Sequence, residues 1–176
     1  MSTQDITARG AVALALGDWL SLAWKVEAAI RDEFGVRTDS VTGRATDGRC
    51  VLACAAITHH LVNRGLPARW VAGTLLITRP GCQSVEVGLH AMVVLGTDIL
   101  FDPSIAQAHR PRFDNALDVD ALVIPAPDGV QTGRSVQMSL SDVSIDFMPS
   151  DRMTELLAQV PDLEPERVAL ISAQLN

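Results

Sequence analysis

The sequence has little positive charge, and its only lysine is Lys25. The chain carries 14 basic residues against 21 acidic ones, which gives a formal net charge of −7. Proteins that follow a nucleic-acid backbone present clustered Lys and Arg side chains, and this sequence contains no basic run. We therefore expect no nucleic-acid partner.

The sequence also lacks an apolar run long enough to cross a membrane. The apolar stretch at residues 11–16 is soon followed by Asp18, and no basic cluster precedes it as in a signal peptide. Cysteine is scarce as well, because the chain has three cysteines, which cannot all pair with one another. We expect reduced thiols, a cytoplasmic location and no membrane partner.

Length and composition fit one domain spanning residues 1–176. The chain has 176 residues, of which 48% are hydrophobic and 20% charged, enough for one core and short for two. Apolar periodicity predicts N-terminal helices over 11–34, either one helix or two separated near Gly17. Capping residues and Pro165 predict C-terminal helices over about 151–175.

A helix beginning at Cys50 is the clearest element of the sequence. A polar loop precedes it, apolar residues recur at helical spacing after it, and Gly65 offers a left-handed stop. A thiol in the first helical turn faces unpaired backbone N–H groups and the positive end of the helix dipole, and both favour the thiolate. The same N–H groups can hold a developing oxyanion. We predict that Cys50 is a nucleophile.

Strand-like segments follow that helix. Apolar and β-branched residues recur between Gly, Pro and Asp turn signals, and the second segment is nearly continuously apolar around His90. A polar turn is predicted at 109–112. The predicted strands are residues 66–77, 85–95, 99–102, 121–124 and 136–140.

The hairpin turn at residues 96–98 fixes a register that can be counted. A three-residue turn pairs Leu95 with Ile99, and the same register sets Asp102 diagonal to His90 on one face of the sheet. With Cys50 these residues form the parts of a thiol triad. The imidazole would take the thiol proton and later protonate a leaving amine, while the carboxylate holds the ring in one tautomer.

The order of these residues resembles the transglutaminase-like superfamily, whose core is of the papain type. The resemblance covers about residues 43–104. The segments that carry it are Gly48-Arg49-Cys50, residues 64–73 (RGLPARWVAG), residues 89–94 (LHAMVV) and Phe101-Asp102-Pro103.

The resemblance implies an α+β fold in which the cysteine helix packs on an antiparallel sheet. It also implies that Cys50, His90 and Asp102 are the catalytic residues of a peptidase, amidase or deamidase that forms a thioester. The expected substrate is a peptide, a protein or a small amide, and no cofactor is expected. A transglutaminase proper is the less favoured version of this chemistry.

Each triad residue also has a purely structural interpretation. Cys50 would be a small apolar residue on a packed helix, His90 a neutral core imidazole, and Asp102 a cap at the end of a strand. Cys54 lies one turn deeper than Cys50, where burial should leave its thiol inert. Under this interpretation the chain is a non-catalytic binding module on the same scaffold.

A metal site is the main chemical alternative. The residues available for it are Cys50, Cys54, His59, His60, Cys82 and His90. Their spacing fits no paired-cysteine zinc pattern, and the sequence has no glycine-rich phosphate loop, so we expect neither a metal nor a cofactor. Cys82, in a Pro-Gly loop, is expected to be incidental.

Other polar and aromatic side chains receive structural roles. Trp19 and Trp24 are expected in the core, and His59 and His60 at the surface or capping the end of the cysteine helix. A second oxyanion donor is not identified by spacing. The candidates are Arg44, Asp47, Trp19 and Trp24.

Overall fold

The computed structural model of the chain describes residues 3–40, 42–82, 84–108 and 119–176, with side chains from residue 18 onward except that of residue 108. The turn predicted at 109–112 lies outside these residues. The α-helices are α1 (Thr3–Phe34), α2 (Cys50–Asn63), α3 (Asp151–Leu157) and α4 (Pro165–Ala173). The strands are β1 (Ala68–Thr78), β2 (Val85–Leu95), β3 (Ile99–Asp102), β4 (Leu122–Pro125), β5 (Val136–Leu140) and β6 (Val143–Pro149). Short 3-10 helices occupy Ile105–Ala108 and Pro161–Leu163.

The described strands form one antiparallel sheet in the order β4-β3-β2-β1-β6-β5. Ile124 of β4 and Val136 of β5 belong to the same buried cluster although their strands stand at opposite ends of the sheet. The sheet therefore curls until its two ends share a core, as a strongly twisted antiparallel sheet does.

The convex face of this sheet is covered by α2. Cys54 and Ile57 of α2 pack in one cluster with Ala91 and Val93 of β2, and all four side chains are buried. Alternation along β2 sends the neighbouring residue Met92 into the other cluster, inside the curl. The α+β class, with the cysteine helix on an antiparallel sheet, is confirmed.

The hairpin between β2 and β3 has the register that its turn length predicts. Leu95 lies opposite Ile99 and Val93 opposite Phe101, as expected. The same register continued by one residue sets Asp102 opposite Met92, on the face that also carries His90. His90 and Asp102 are both completely buried.

Other expectations need correction. Of the two alternatives for residues 11–34, the single helix is the one found, and only its start differs, because the helix already begins at Thr3. Trp24 is not a core residue, because it is 55% exposed. His60 is buried, which contradicts the surface alternative, while its place in the last turn of α2 agrees with the capping alternative. Strand β6 was not predicted, although its alternation of buried and partly buried residues is the period of a strand.

None of the described helices combines the length and the apolar character that crossing a membrane requires.

Strands β1 and β6 approach each other most closely at Gly73. A Cβ atom at this position would overlap the carbonyl group of Met148 and lie 2.8 Å from the Cα atom of Pro149. Both neighbours are backbone atoms, which cannot move aside as a side chain can. Only glycine fits at this crossing.

The substitution Gly73→Ala should therefore destabilise the fold by about 2–4 kcal/mol, because the added methyl group forces the two strands apart. Urea unfolding would measure this loss. The matched control is Gly88→Ala, since a Cβ at Gly88 meets no atom within 4 Å. Equal unfolding midpoints for the two variants would contradict the close approach at Gly73.

Candidate active site

Cys50, His90 and Asp102 meet at the N-terminus of α2. Nε2 of His90 lies 2.6 Å from Oδ2 of Asp102, and neither side chain is exposed. The His90 side chain also lies beside the Cys50 thiol, because each of the two side chains shifts the pKa of the other. Because Nε2 faces the carboxylate, Nδ1 is the ring nitrogen that faces the sulfur. The imidazole thus lies between a thiol and a carboxylate.

The second oxygen of Asp102 performs the capping role that was its structural alternative. Oδ1 accepts the backbone N–H of Ser104 at 2.9 Å and the Ser104 hydroxyl at 3.3 Å. These bonds fix the carboxylate at the end of β3, where Pro103 stops the ladder. The two interpretations of Asp102 are therefore compatible, because each uses a different oxygen.

The loop ahead of Cys50 is tied to α1 by Glu27. Its carboxylate accepts the N–H of Ala45 at 2.8 Å, the N–H of Thr46 at 3.0 Å and the Thr46 hydroxyl at 2.9 Å. A carboxylate that accepts several N–H and O–H bonds holds a loop in one conformation. The sequence offered no signal for Glu27, which acts on residues far along the chain.

A second carboxylate, that of Asp47, holds the other half of the same loop. It accepts the Ser40 hydroxyl at 2.6 Å and both the N–H and hydroxyl of Thr42 at 2.9 Å. Gly48 then adopts a left-handed conformation with φ of 70° and turns the chain into α2. Cys50 is thus delivered to the first turn of a helix whose start is fixed on both sides.

Hydrogen bonds to the sulfur favour the thiolate of Cys50. Burial by itself would raise the pKa of this thiol, but the bond and charge of His90, with bonds from Gln107 and the Ala91 N–H, lower it. Burial would likewise lower the pKa of His90, but the charge and hydrogen bond of Asp102 raise it to about 10. Both shifts favour the thiolate–imidazolium form of the pair over the neutral form.

Cys54 differs from Cys50 as expected. Complete burial raises the pKa of Cys54 well above that of an ordinary thiol, and the nearby Cys50 and Asp102 add to the effect. The third cysteine, Cys82, is free and exposed. Among the described residues no three Cys, His, Asp or Glu side chains are grouped so as to hold a metal ion.

Gln107 belongs to the site and was missed by the sequence analysis. Its Oε1 accepts the N–H of Gly48 at 3.2 Å, which points its amide NH₂ group toward the triad. Nε2 lies 3.0 Å from Nδ1 of His90 and donates to the Ser104 hydroxyl at 3.2 Å. A polar residue within the apolar 3-10 helix after β3 was the only available signal.

The hydrogen bond of Gln107 depends on where the proton is. When His90 is neutral, its Nδ1 carries a lone pair that can accept a hydrogen from the Gln107 amide. When His90 is an imidazolium, Nδ1 is a donor, and the amide can donate to the Cys50 sulfur, which it also contacts. The Gln107 amide can thus donate a hydrogen bond either to Nδ1 of neutral His90 or to the sulfur of Cys50.

The other proposed oxyanion donors are engaged elsewhere. Arg44 and Trp24 both bond Asp120, the latter at 3.1 Å. Trp19 is buried with its ring centroid 4.6 Å from that of Phe101, and Asp47 holds the loop. None of these four was singled out by spacing, and Gln107, which contacts His90, is a further candidate.

Two histidines at the far end of α2 make bonds of their own. Nδ1 of His59 lies 2.9 Å from the Ser172 hydroxyl, and Nε2 of His60 lies 3.4 Å from the Arg64 guanidinium. Both belong to the packing of α2 against α4 and lie at the opposite end of the helix from Cys50.

A cleft of about 430 Å³ opens beside the triad. Three of its lining residues are direct neighbours of the triad, because Gly48 precedes Cys50 closely, Leu89 precedes His90, and Gln107 contacts both. The full lining is Arg37, Asp39, Ser40, Asp47, Gly48, Val87, Leu89 and Gln107. One wall is therefore polar and the other apolar.

No known protein family, curated protein or solved structure matches this chain. Its function has to be inferred from the geometry and electrostatics of the site.

The lowered pKa of Cys50 predicts alkylation by iodoacetamide at a pH where an ordinary thiol, with a pKa of about 8.5, is mostly protonated. Asp102→Asn removes the charge that keeps His90 protonated, so the thiolate loses its partner. The alkylation rate near pH 7 should then fall about tenfold or more. The measurement is a pH–rate profile in a Cys82→Ser background, which removes the exposed thiol.

Asp98→Asn, in the turn of the same hairpin, is the matched control and should leave the profile unchanged. An ordinary thiol profile in the parent protein, equal to that of Asp102→Asn, would contradict the ion pair.

Proposed function

We propose that this protein is a cysteine-dependent amide hydrolase of the transglutaminase-like, papain-type class, acting as a peptidase, amidase or deamidase. The observation that supports it most is the buried His90, whose ring bonds Asp102 through one nitrogen and lies beside the Cys50 thiol. Three free cysteines suit a reducing compartment such as the cytoplasm.

In the acylation step the Cys50 sulfur attacks the carbonyl carbon of an amide. A C–S bond forms, and the carbonyl electron pair moves to oxygen, giving a tetrahedral oxyanion. The C–N bond then breaks as Nδ1 of His90 gives its proton to the departing nitrogen. An amine leaves, and the acyl group stays on Cys50 as a thioester.

In deacylation His90 acts as a base, whereas in acylation it acts as an acid. Neutral His90 takes a proton from water as the water oxygen attacks the thioester carbon, and the C–S bond breaks to release a carboxylic acid and the thiolate. An amine in place of water would make the same intermediate an acyl donor. Asp102 keeps Nε2 protonated throughout, so Nδ1 alone exchanges protons.

The start of α2 and Gln107 would stabilise the oxyanion. The N-cap residue Arg49 makes no side-chain bond to the helix start, so the first N–H groups of α2 have no side-chain cap. The Gln107 amide is oriented by Gly48 and reaches the sulfur from another element. Donors fixed before the reaction stabilise developing charge without reorganisation.

A non-catalytic binding module is the second candidate function. The observation in its favour is the burial of Cys50, which is only 7% exposed and therefore needs the cleft to admit a carbonyl group. The two candidates differ in whether Cys50 carries an acyl group at any stage.

Incubation with p-nitrophenyl acetate should place an acetyl group on Cys50 and release p-nitrophenol in a burst, followed by slow turnover. Intact-mass and peptide-mass spectrometry would locate the group. Cys50→Ser and His90→Ala should show no burst, because the first lacks the nucleophile and the second the base. Cys54→Ser is the matched control and should behave like the parent. Absence of acetyl on Cys50 in the parent protein would favour the binding module.

Gln107→Ala should slow acylation by the same ester about 10²–10³-fold, because an oxyanion donor is lost. Alkylation by iodoacetamide forms no oxyanion, so its rate should change little at a pH where the thiolate is fully formed in both proteins. A parallel loss in both reactions would contradict the oxyanion role and leave Gln107 as a structural residue.

A further inference from the structure

Among the described residues, no strand pairs with the outer edge of β2 from Val85 to Met92. On one side β2 pairs with β1 from Val85 to Leu95, but on the other side β3 pairs with it only from Val93 to Leu95. Within the described part of the chain no other strand takes the remaining edge. Unpaired strand edges are the places where an extended chain can add to a sheet.

The backbone groups at this edge point outward at Leu89. Ala72 of β1 uses its N–H and C=O away from β2, bonding Thr154 and Ser150. Its partner Ala91 must therefore direct its own groups away from β1. The β1–β2 ladder shifts register between His90 and Val87 and leaves Gly88 and Leu89 without a partner in β1, so the N–H and C=O of Leu89 are available to the outer edge.

The Cys50 sulfur lies beside the same edge, close enough for the outward N–H of Ala91 to help lower the pKa of the thiol. Ala91 and Leu89 are separated by two residues, which is one repeat of a strand, or about 7 Å. A peptide that pairs with Leu89 therefore brings its next peptide unit to the position of the sulfur.

The wall of the cleft around Leu89 leaves room for the backbone of a bound peptide. Leu89 is 50% exposed, and it lines the cleft together with Val87. Between them stands Gly88, where a Cβ would meet no atom within 4 Å, at a shift of register opposite β1. Glycine within a strand often marks the close approach of another backbone.

We propose that the substrate is a peptide whose acyl half binds in extended form along the open edge of β2, hydrogen-bonded at Leu89 with its backbone against Gly88. This inference rests on the proposed hydrolase function. The acyl half is the part to be held, because the thioester must stay in place while the amine leaves and water arrives.

The test compares two electrophiles that alkylate Cys50, acetyl-Ala-Ala-Ala chloromethyl ketone and acetyl-Ala chloromethyl ketone, with iodoacetamide as a probe too small to reach the edge. The longer peptide should react about tenfold faster than the shorter one, because it gains strand hydrogen bonds. In Gly88→Val the added side chain fills the open space, and this gain should disappear while the iodoacetamide rate stays within about twofold.

Ser139→Val is the matched control, because it places the same side chain at an exposed position of β5, away from the cleft. It should retain the gain. A probe with single N-methyl groups gives a second test on the unmodified protein. Methylating the backbone nitrogen of one alanine of the probe should slow alkylation of Cys50, and methylating that of the next alanine should not, since the N–H groups of a strand alternate in direction.

The possible failures are distinguishable. The edge-binding inference would be overturned by equal rates for the two peptides, by a gain that survives in Gly88→Val, or by N-methyl effects that do not alternate. If iodoacetamide labelling is still rapid at neutral pH, the hydrolase proposal remains. Slow labelling with an ordinary thiol profile that does not respond to His90→Ala would overturn the hydrolase proposal itself.

Discussion

The hydrogen bond between His90 and Asp102 is the interaction on which the site depends, and it forms in complete burial. Burying a charged carboxylate or an imidazolium alone is strongly unfavourable, so each group requires the other. The paired carboxylate raises the pKa of His90 to about 10 and so supplies a cation next to the Cys50 sulfur. The acidity of the Cys50 thiol therefore depends on the Asp102 carboxylate, which acts through His90 and does not contact the sulfur.

The hairpin register is the structural condition for that bond. One residue more or less in the turn at 96–98 would send Asp102 to the opposite face of the sheet from His90. The same strand, β2, also brings the Ala91 N–H near the Cys50 sulfur, so a single strand carries His90, a neighbour of the thiol and the proposed binding edge. The part of β2 that has no outer strand partner among the described residues includes His90, which connects the proposed chemistry to the proposed mode of substrate binding.

Local patterns predicted the parts of the fold and the site that local physics determines. The start of α2 follows from its flanking glycines, and the hairpin register follows from its turn length and the alternation of apolar residues. Gln107 and Glu27 could not be found this way, because Gln107 bonds Gly48 across 59 residues and Glu27 bonds Thr46 across 19. The core position expected for Trp24 and the surface alternative for His60 were wrong, because residue type alone does not say which side of a helix its neighbours cover.

The central claim is that His90 is an imidazolium that bridges the Cys50 thiolate and the Asp102 carboxylate. Nitrogen-15 NMR of the histidine rings tests it most directly, because the chemical shifts of Nδ1 and Nε2 report whether each nitrogen carries a proton. With the pKa of His90 raised to about 10, both nitrogens should remain protonated from neutral pH until the solution approaches that value. A His90 ring that is neutral at pH 7, with an unprotonated nitrogen facing the sulfur, would contradict the account.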